Sequence, residues 1–274
     1  LQADEMYMRR LPYRRGTVPI GARVITLGAD VGKSEWHYEI RAWGERMTSW
    51  LIVEGVISPP DEKQMKDIMA LTFTREDGLT LPIVRGFIDS KYDTERIINL
   101  CRDLQWHLAP SQGLDTDRAT RTRPYPTKIS AEGPMADGNT RFNVPSAYMK
   151  DQLMVMMERS PGEVGSWNIH DETSLDYCQQ VTAQEKQSIY DNKTGKRRTM
   201  WRQIAGRADH FFDCAVYSYA CALACNVDLL VEQPEPPPPE PKANSERRDP
   251  MEPRQRSQGG WIQGGGSKGG RING

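Results

Sequence analysis

Residues 22–57 read ARVITLGADVGKSEWHYEIRAWGERMTSWLIVEGVI. Three runs of β-branched or alternating residues lie in it, at 22–32, 35–44 and 48–57, with only short polar links between them. Links that short join neighbouring antiparallel strands, so the stretch predicts a three-stranded meander. Its first strand ends in Asp30, just ahead of Val31-Gly32.

Working outward, PPDEKQMKDIMALTF (59–73) opens with prolines and acids and then places Met65, Ile68, Met69 and Phe73 at helical spacing. LTLPIVRGFIDS (79–90) is a fourth strand ending in Asp89. DTERIINLCRDLQW (93–106) is a helix whose apolar stripe is Ile97, Ile98, Leu100, Cys101 and Leu104. WHLAP (106–110) gives a short fifth strand. After a polar, basic stretch come a strand at 140–145, a helix at 146–160, a strand at 166–170 and a helical segment near 171–181. A hairpin follows at 186–203, with DNKTGK supplying its turn, and GRADHFFDCAVYSYACALACNVDLL (206–230) closes the fold as a buried helix. There is no internal repeat. The order implies an α/β fold, a mixed sheet of three antiparallel strands plus parallel strands, flanked by helices.

The 274 residues suit one large domain or two small ones. From about Glu232 a Pro-rich stretch gives way to a charged one and then a Gly-rich one. Such composition cannot bury enough apolar surface to offset its ordering entropy, so 232–274 is expected to be a disordered tail. The folded unit is then 21–231, preceded by a linker at 1–20. The net charge of −1 supplies no global basic field, so any contact with nucleic acid must come from local clusters. No apolar run is long enough to span a membrane, and there is no signal-peptide pattern. The five cysteines are odd in number and form no CxxC pair, which favours small core residues of a reduced protein, although Cys221 and Cys225 lie one helical turn apart.

Asp30 and Asp89 each follow an apolar strand and precede a turn-like residue. In an open α/β sheet the crevice beyond strand C-terminal ends is where sites form. On adjacent strands the two carboxylates would lie a few Å apart, and like charges that close resist joint ionisation unless a cation bridges them. Asp213, in the closing helix with at least a full turn expected before it, would be a third. Three converging carboxylates without a His/Cys set suit Mg²⁺ or Mn²⁺. Two such ions can activate a water and stabilise the leaving oxygen of a phosphodiester. The same residues also fit turn, cap and helix-dipole roles.

The β-β-β-α-β order with Asp on the first and fourth strands is similar to the ribonuclease-H-like superfamily. Four segments, 27–57, FIDSKYDTERIINLCR, VTAQEKQSIYDNKTGKRRTMW and ADHFFDCAVYSYACA, resemble in order those of the nuclease domain of lambda-type phage terminase large subunits. The likeness covers about residues 20–226. It implies a metal-dependent endonuclease that cuts concatemeric double-stranded viral DNA during genome packaging, working in the host bacterial cytoplasm at the assembling procapsid. Asp30, Asp89 and Asp213 would be its catalytic residues and metal ligands, holding two Mg²⁺ or Mn²⁺ ions. His210 or Asp209, three and four positions before Asp213, would be a further ligand or proton-transfer group; both also fit the helix cap. Glu54 is an extra acid on the third strand that either faces the site or is an exposed strand residue. His37, His107 and His170 read as ordinary strand or loop residues. After the fifth strand Ser111-Gln112-Gly113 stands where many relatives have Lys-Gly, so a phosphate contact from that strand end is not expected.

Two basic clusters offer phosphate contacts: Arg118, Arg121, Arg123 and Lys128 in one, and Lys193, Lys196, Arg197 and Arg198, followed by Arg202 and Arg207, in the other. No base-reading motif is visible, so sequence choice would rest with partners such as the terminase small subunit. The tail from Lys242 carries seven basic residues against three acidic ones, with Trp261-Ile262 as its apolar anchor. In this family the C-terminal end engages the portal protein. No GxxxxGK[ST] phosphate loop occurs, so residues 1–20 would link to a packaging ATPase domain outside this sequence. Other readings are a resolvase- or transposase-like nuclease and a non-catalytic module docking on the portal.

Overall fold

The computed structural model describes residues 1–114, 121–129, 140–191 and 195–230, the side chains of 191, 196 and 198 excepted. The chain divides into a unit Leu1–Gln233 and a unit Pro234–Gly274, and the second, with the expected tail, lies outside the described residues. The elements are α1 (Ala3–Met8), β1 (Ala22–Val31), β2 (Trp36–Gly44), β3 (Ser49–Ile57), α2 (Glu62–Met69), β4 (Thr72–Thr74), β5 (Thr80–Asp89), α3 (Thr94–Asp103), β6 (Leu108–Leu114), β7 (Tyr125–Lys128), β8 (Thr140–Pro145), α4 (Ser146–Glu158), β9 (Trp167–Asn168), α5 (Leu175–Val181), β10 (Gln184–Asp191), β11 (Lys196–Gln203) and α6 (His210–Ala224).

The meander forms as its sequence predicts, with β1 antiparallel to β2 and β2 antiparallel to β3. On its other side β1 pairs in parallel with β5, which pairs with β6, which pairs with β8. The order across the sheet is β7-β8-β6-β5-β1-β2-β3-β9, and β10 and β11 form a separate hairpin. This is the mixed sheet, three antiparallel strands plus parallel ones, that the sequence calls for.

Helices cover both faces. On one, Ile25, Leu27, Ala29, Ile40, Ile52 and Ile88 pack with Met65 and Met69 of α2 and Ile97, Leu100 and Cys101 of α3. On the other, Trp43, Leu51, Phe87 and Val144 pack with α4, α5 and α6. Each fully buried side chain of this size contributes about 1.5–3 kcal/mol, so α6, buried along nearly its whole length, is pinned firmly to the sheet. Its approach is close because of Gly28: a Cβ there would lie 2.1 Å from the Cys214 carbonyl oxygen and 2.4 Å from the Ser218 amide nitrogen. Only glycine lets the helix backbone sit directly on β1. Thr26, two residues earlier on the same face, accepts from Trp43 Nε1 at 2.7 Å and lies 3.2 Å from Ser218 Oγ.

Three elements depart from the sequence reading. The helix expected over 59–73 stops at Met69, and Phe73 enters β4 against Leu81 of β5. Phe73 stays in the same core, so its apolar spacing fits either backbone path. The closing helix begins only at His210, which puts Asp213 in its first turn and removes the full turn expected before it. Residues 1–20, read as a linker, carry α1 and bury Met6, Tyr13 and Val18. All five cysteines are free thiols.

β2 also carries a buried ion pair. Arg41 Nε donates to Glu39 Oε1 at 3.2 Å, both side chains being wholly inaccessible. The guanidinium donates further to the Asn168 carbonyl at 3.0 Å and to Tyr177 Oη at 3.1 Å, and it stacks 3.2 Å above the Trp167 ring. Tyr177 Oη donates in turn to Glu39 Oε2 at 2.7 Å. Every charge in this group has a partner, the condition under which buried charge is tolerated.

Candidate active site

The parallel register of β1 and β5 runs to Ala29 opposite Ile88. Asp30 and Asp89 therefore follow side by side, one residue beyond the last registered pair. Side chains alternate along a strand, so Asp30 shares the face of Gly28 and Thr26, the face that α6 covers. Asp89 shares the face of Phe87, which packs in the same core. The first turn of α6 brings Asp213 to this end of the sheet.

Each carboxylate has a neighbour that fixes it. His210, the first residue of α6, hydrogen-bonds through Nδ1 to Asp30 Oδ2 at 2.7 Å. Tyr217 Oη donates to Asp89 Oδ1 at 3.0 Å, and the Lys91 amide donates to the same oxygen at 3.3 Å. The Gly113 amide donates to Tyr217 Oη at 3.2 Å, which holds the phenol in place from β6. Lys150 of α4, itself buried, sets its Nζ 3.5 Å from Asp213 Oδ1.

The electrostatics combine loss of water with crowded negative charge. Loss of surrounding water raises the Asp89 carboxyl above the ordinary carboxylate range, and the charge of Asp30 raises it further. Loss of water is also the largest influence on Asp213, opposed by Lys150 and reinforced by Asp30 and Asp209, and it pushes the carboxyl up to about 7. The bond to Asp30 raises the His210 imidazole, while burial lowers that of His37.

Asp209 does not join this group. Its carboxylate accepts from Gln184 Nε2 at 2.6 Å and Gln203 Nε2 at 2.9 Å, which ties the base of the β10–β11 hairpin to the start of α6. Glu54 is also engaged elsewhere: it lies 2.9 Å from His170 Nε2 and 3.6 Å from Arg15 Nε. His37, read as an ordinary strand residue, instead stacks on His210 with ring centroids 4.3 Å apart. Among the described residues, the three side chains of His, Cys, Asp or Glu whose donor atoms all lie within 4.8 Å of one another are Glu35, His37 and His210. Asp30, Asp89 and Asp213 do not draw together that tightly.

A family model described as terminase large subunit gpA, endonuclease domain, matches residues 1–234. The chain belongs to this family. No curated protein and no solved structure matches it.

Of the terminase domain's expected DNA contacts, Arg121, Arg197, Arg202 and Arg207 are exposed, and Arg121 lies 4.1 Å over the Tyr125 ring. Lys196 and Arg198 stand on β11 beside Arg197, but their side chains, like the whole of Arg118 and Lys193, lie outside the described residues. Arg123 donates to the Leu223 carbonyl at 2.7 Å and pairs with Asp228, so it is engaged at the C-terminal end of α6. A run of basic residues fixes charge, not partners, and here an acid across the chain takes one of them.

Sequence reasoning missed Lys150, Tyr217, Glu35 and His37. A signal existed for the first. Ser146, Met149, Lys150, Leu153 and Met157 recur at helical spacing and are all buried, so a lysine on that stripe calls for an anionic partner. Among the described residues, no helix is long and apolar enough to cross a membrane.

Proposed function

We propose that this terminase endonuclease domain hydrolyses phosphodiester bonds of concatemeric double-stranded viral DNA during packaging, with Asp30, Asp89 and Asp213 as its metal-binding carboxylates. The observation that carries the reading is the meeting of three carboxylates from β1, β5 and α6 at one end of the sheet, two of them raised in part by the charge of Asp30. The donor set fits Mg²⁺ or Mn²⁺, which take oxygen ligands. Asp30, Asp89 and Asp213 would hold such ions between them, a pair in this reading. Bound there, such ions would supply an activated water and neutralise charge on the leaving oxygen.

The chain's own residues prepare the site. His210 fixes the orientation of Asp30, and Tyr217, held from β6, fixes that of Asp89. Lys150 offsets part of the charge on Asp213. The hairpin leads directly into α6, so Lys196, Arg197, Arg198, Arg202 and Arg207 are suited to hold the duplex by its phosphates, with Arg121 as a further contact. Neutralising Lys196, Arg197 and Arg198 together is expected to lower the slope of log affinity against log salt by up to roughly 2.7. An unchanged slope would remove the hairpin from the interface.

In this reading the terminase small subunit, the ATPase domain and the portal protein are partners at the procapsid in the host cytoplasm, the portal being met through the tail. Deleting 250–274 should spare cleavage and abolish portal binding. The deciding experiment is plasmid cleavage with Mg²⁺ or Mn²⁺ by wild type, Asp30→Ala and Asp213→Ala. Cleavage by wild type alone supports the assignment, and cleavage that survives both substitutions rejects it.

A further inference from the structure

A second cluster lies beside the carboxylates and has different chemistry. The turn after β1 closes with the Gly32 amide donating to the Glu35 carbonyl at 3.0 Å. It sets Glu35 just before β2, two residues ahead of His37 and so on the same face of the strand. Glu35 Oε1 lies 3.8 Å from His37 Nε2. His210 reaches the same place from the start of α6, its ring nearly parallel to that of His37 at an interplanar angle of 13°. Phe211 packs edge-on against His37 at 5.1 Å and walls the cluster on its inner side.

The hydrogen bonding of His210 gives the cluster its meaning. Its Nδ1 is bonded to Asp30, and among the described residues no hydrogen bond engages Nε2. A histidine that ligates a metal through one nitrogen commonly donates from the other to a carboxylate, which fixes the tautomer and strengthens the ligand. Two imidazoles and one carboxylate, with further positions open to water, form a donor set for Zn²⁺ or a similar transition-metal ion and a poor one for Mg²⁺. The two rings lie nearly parallel, and an imidazole nitrogen presents its lone pair in the ring plane, so binding one ion requires one ring to turn until the two nitrogens converge.

We propose that Glu35, His37 and His210 form a transition-metal site, distinct from the carboxylate site and coupled to it only through the bond from His210 to Asp30. Neither Asp89 nor Asp213 takes part. An ion held there locks the His210 ring and with it the direction of the Asp30 carboxylate, so its role toward catalysis is one of positioning.

The test is titration of the full chain with Co²⁺ in excess Mg²⁺, read by the visible absorption of four- or five-coordinate Co²⁺ with nitrogen and oxygen ligands. The expected result is one tight equivalent, displaced by Zn²⁺, unaffected by Asp89→Asn and weakened at least about tenfold by Glu35→Gln and by His37→Gln. His37 is buried, so Glu35→Gln, on a side chain 41% exposed, is the variant that keeps the fold and decides the matter. Absence of the band, a band untouched by Glu35→Gln, loss of the band in Asp89→Asn, or a thiolate charge-transfer band would each overturn the proposal. Mg²⁺-dependent plasmid cleavage is scored separately, so failure here leaves the carboxylate reading to its own test.

Discussion

Two groups of charge occupy one face of β1 and β2, two residues apart in register: Gly28 pairs with Glu39, and Asp30 pairs with His37. Around Glu39 the protein supplies everything. Arg41, Tyr177, Trp167 and the Asn168 carbonyl close the group, and water is excluded. Around Asp30 the protein adds two more carboxylates, and it sets His210 on Asp30, Lys91 near Asp89 and Lys150 3.5 Å from Asp213. The first arrangement is balanced inside the fold. The second gathers three carboxylates at the end of the strands, a charge that cations from outside the chain would balance in the proposed reading. The same sheet thus uses charge in two ways, one to hold α5 and β9 in place and one, in the proposed reading, to hold metal ions.

The comparison breaks most visibly at Asp30. Asp30→Asn should lower cleavage by about 10⁴-fold, equivalent to ~5.5 kcal/mol of barrier, with the far-UV spectrum unchanged. Plasmid relaxation time courses would measure it, and a fall of less than tenfold would show that Asp30 is no essential ligand. Arg41→Met should show the opposite pattern. It strands the Glu39 carboxylate in the core and should cost roughly 3–5 kcal/mol of stability in urea unfolding. Little loss would mean that the ion pair is not the structural unit described.

Gly28→Ala joins the two regions. Its methyl would meet the Cys214 carbonyl at 2.1 Å, so α6 must move away from β1. Overpacking of this kind costs about 1–3 kcal/mol, and since α6 carries Asp213, cleavage should fall together with stability. Full activity in a destabilised variant would separate the helix position from the chemistry.

The smallest effect concerns pH. Asp213 titrates at about 7 in the fold, above the ordinary value near 3.8. The folded state therefore binds more protons than the unfolded one between about pH 4 and 7, so this group's contribution to stability is present on the acid side and is lost as pH rises through that window. Without divalent ions, the melting temperature of wild type should fall relative to that of Asp213→Asn over that range. Parallel pH profiles would contradict the loss of water and the crowding of charge around Asp213.

Much of this was legible in the sequence, for reasons that differ by residue. Asp30 and Asp89 could be found because strands of alternating residues ended on them, and register then made them neighbours. Asp213 stood out as a carboxylate on an otherwise apolar helix. His37 could not be found the same way. Alternation in β2 says that His37 shares a face with Glu39 and Arg41, but only the docking of α6 puts His210 on top of it. Tyr217 was hidden among the apolar residues of α6, since a phenol packs as an aromatic until its hydroxyl meets a carboxylate. The pairing of Arg123 is illegible for the converse reason, because Asp228 is distant in sequence and close in space. The end of α2 was misjudged because Phe73 reaches one core by either a helical or an extended path.

The central claim is that Asp30 belongs to a group left for cations to neutralise, whereas Glu39 is neutralised within the fold. Thermal melts with and without saturating Mg²⁺ test it directly, on wild type, Asp30→Asn and Glu39→Gln. A ligand present at a hundred times its Kd stabilises the folded state by about 2.7 kcal/mol, a rise of several degrees for a domain of this size. The account predicts that rise in wild type and in Glu39→Gln, from a lower starting temperature in the latter, and no rise in Asp30→Asn. An equal Mg²⁺-dependent rise in Asp30→Asn, or none in wild type, would contradict it.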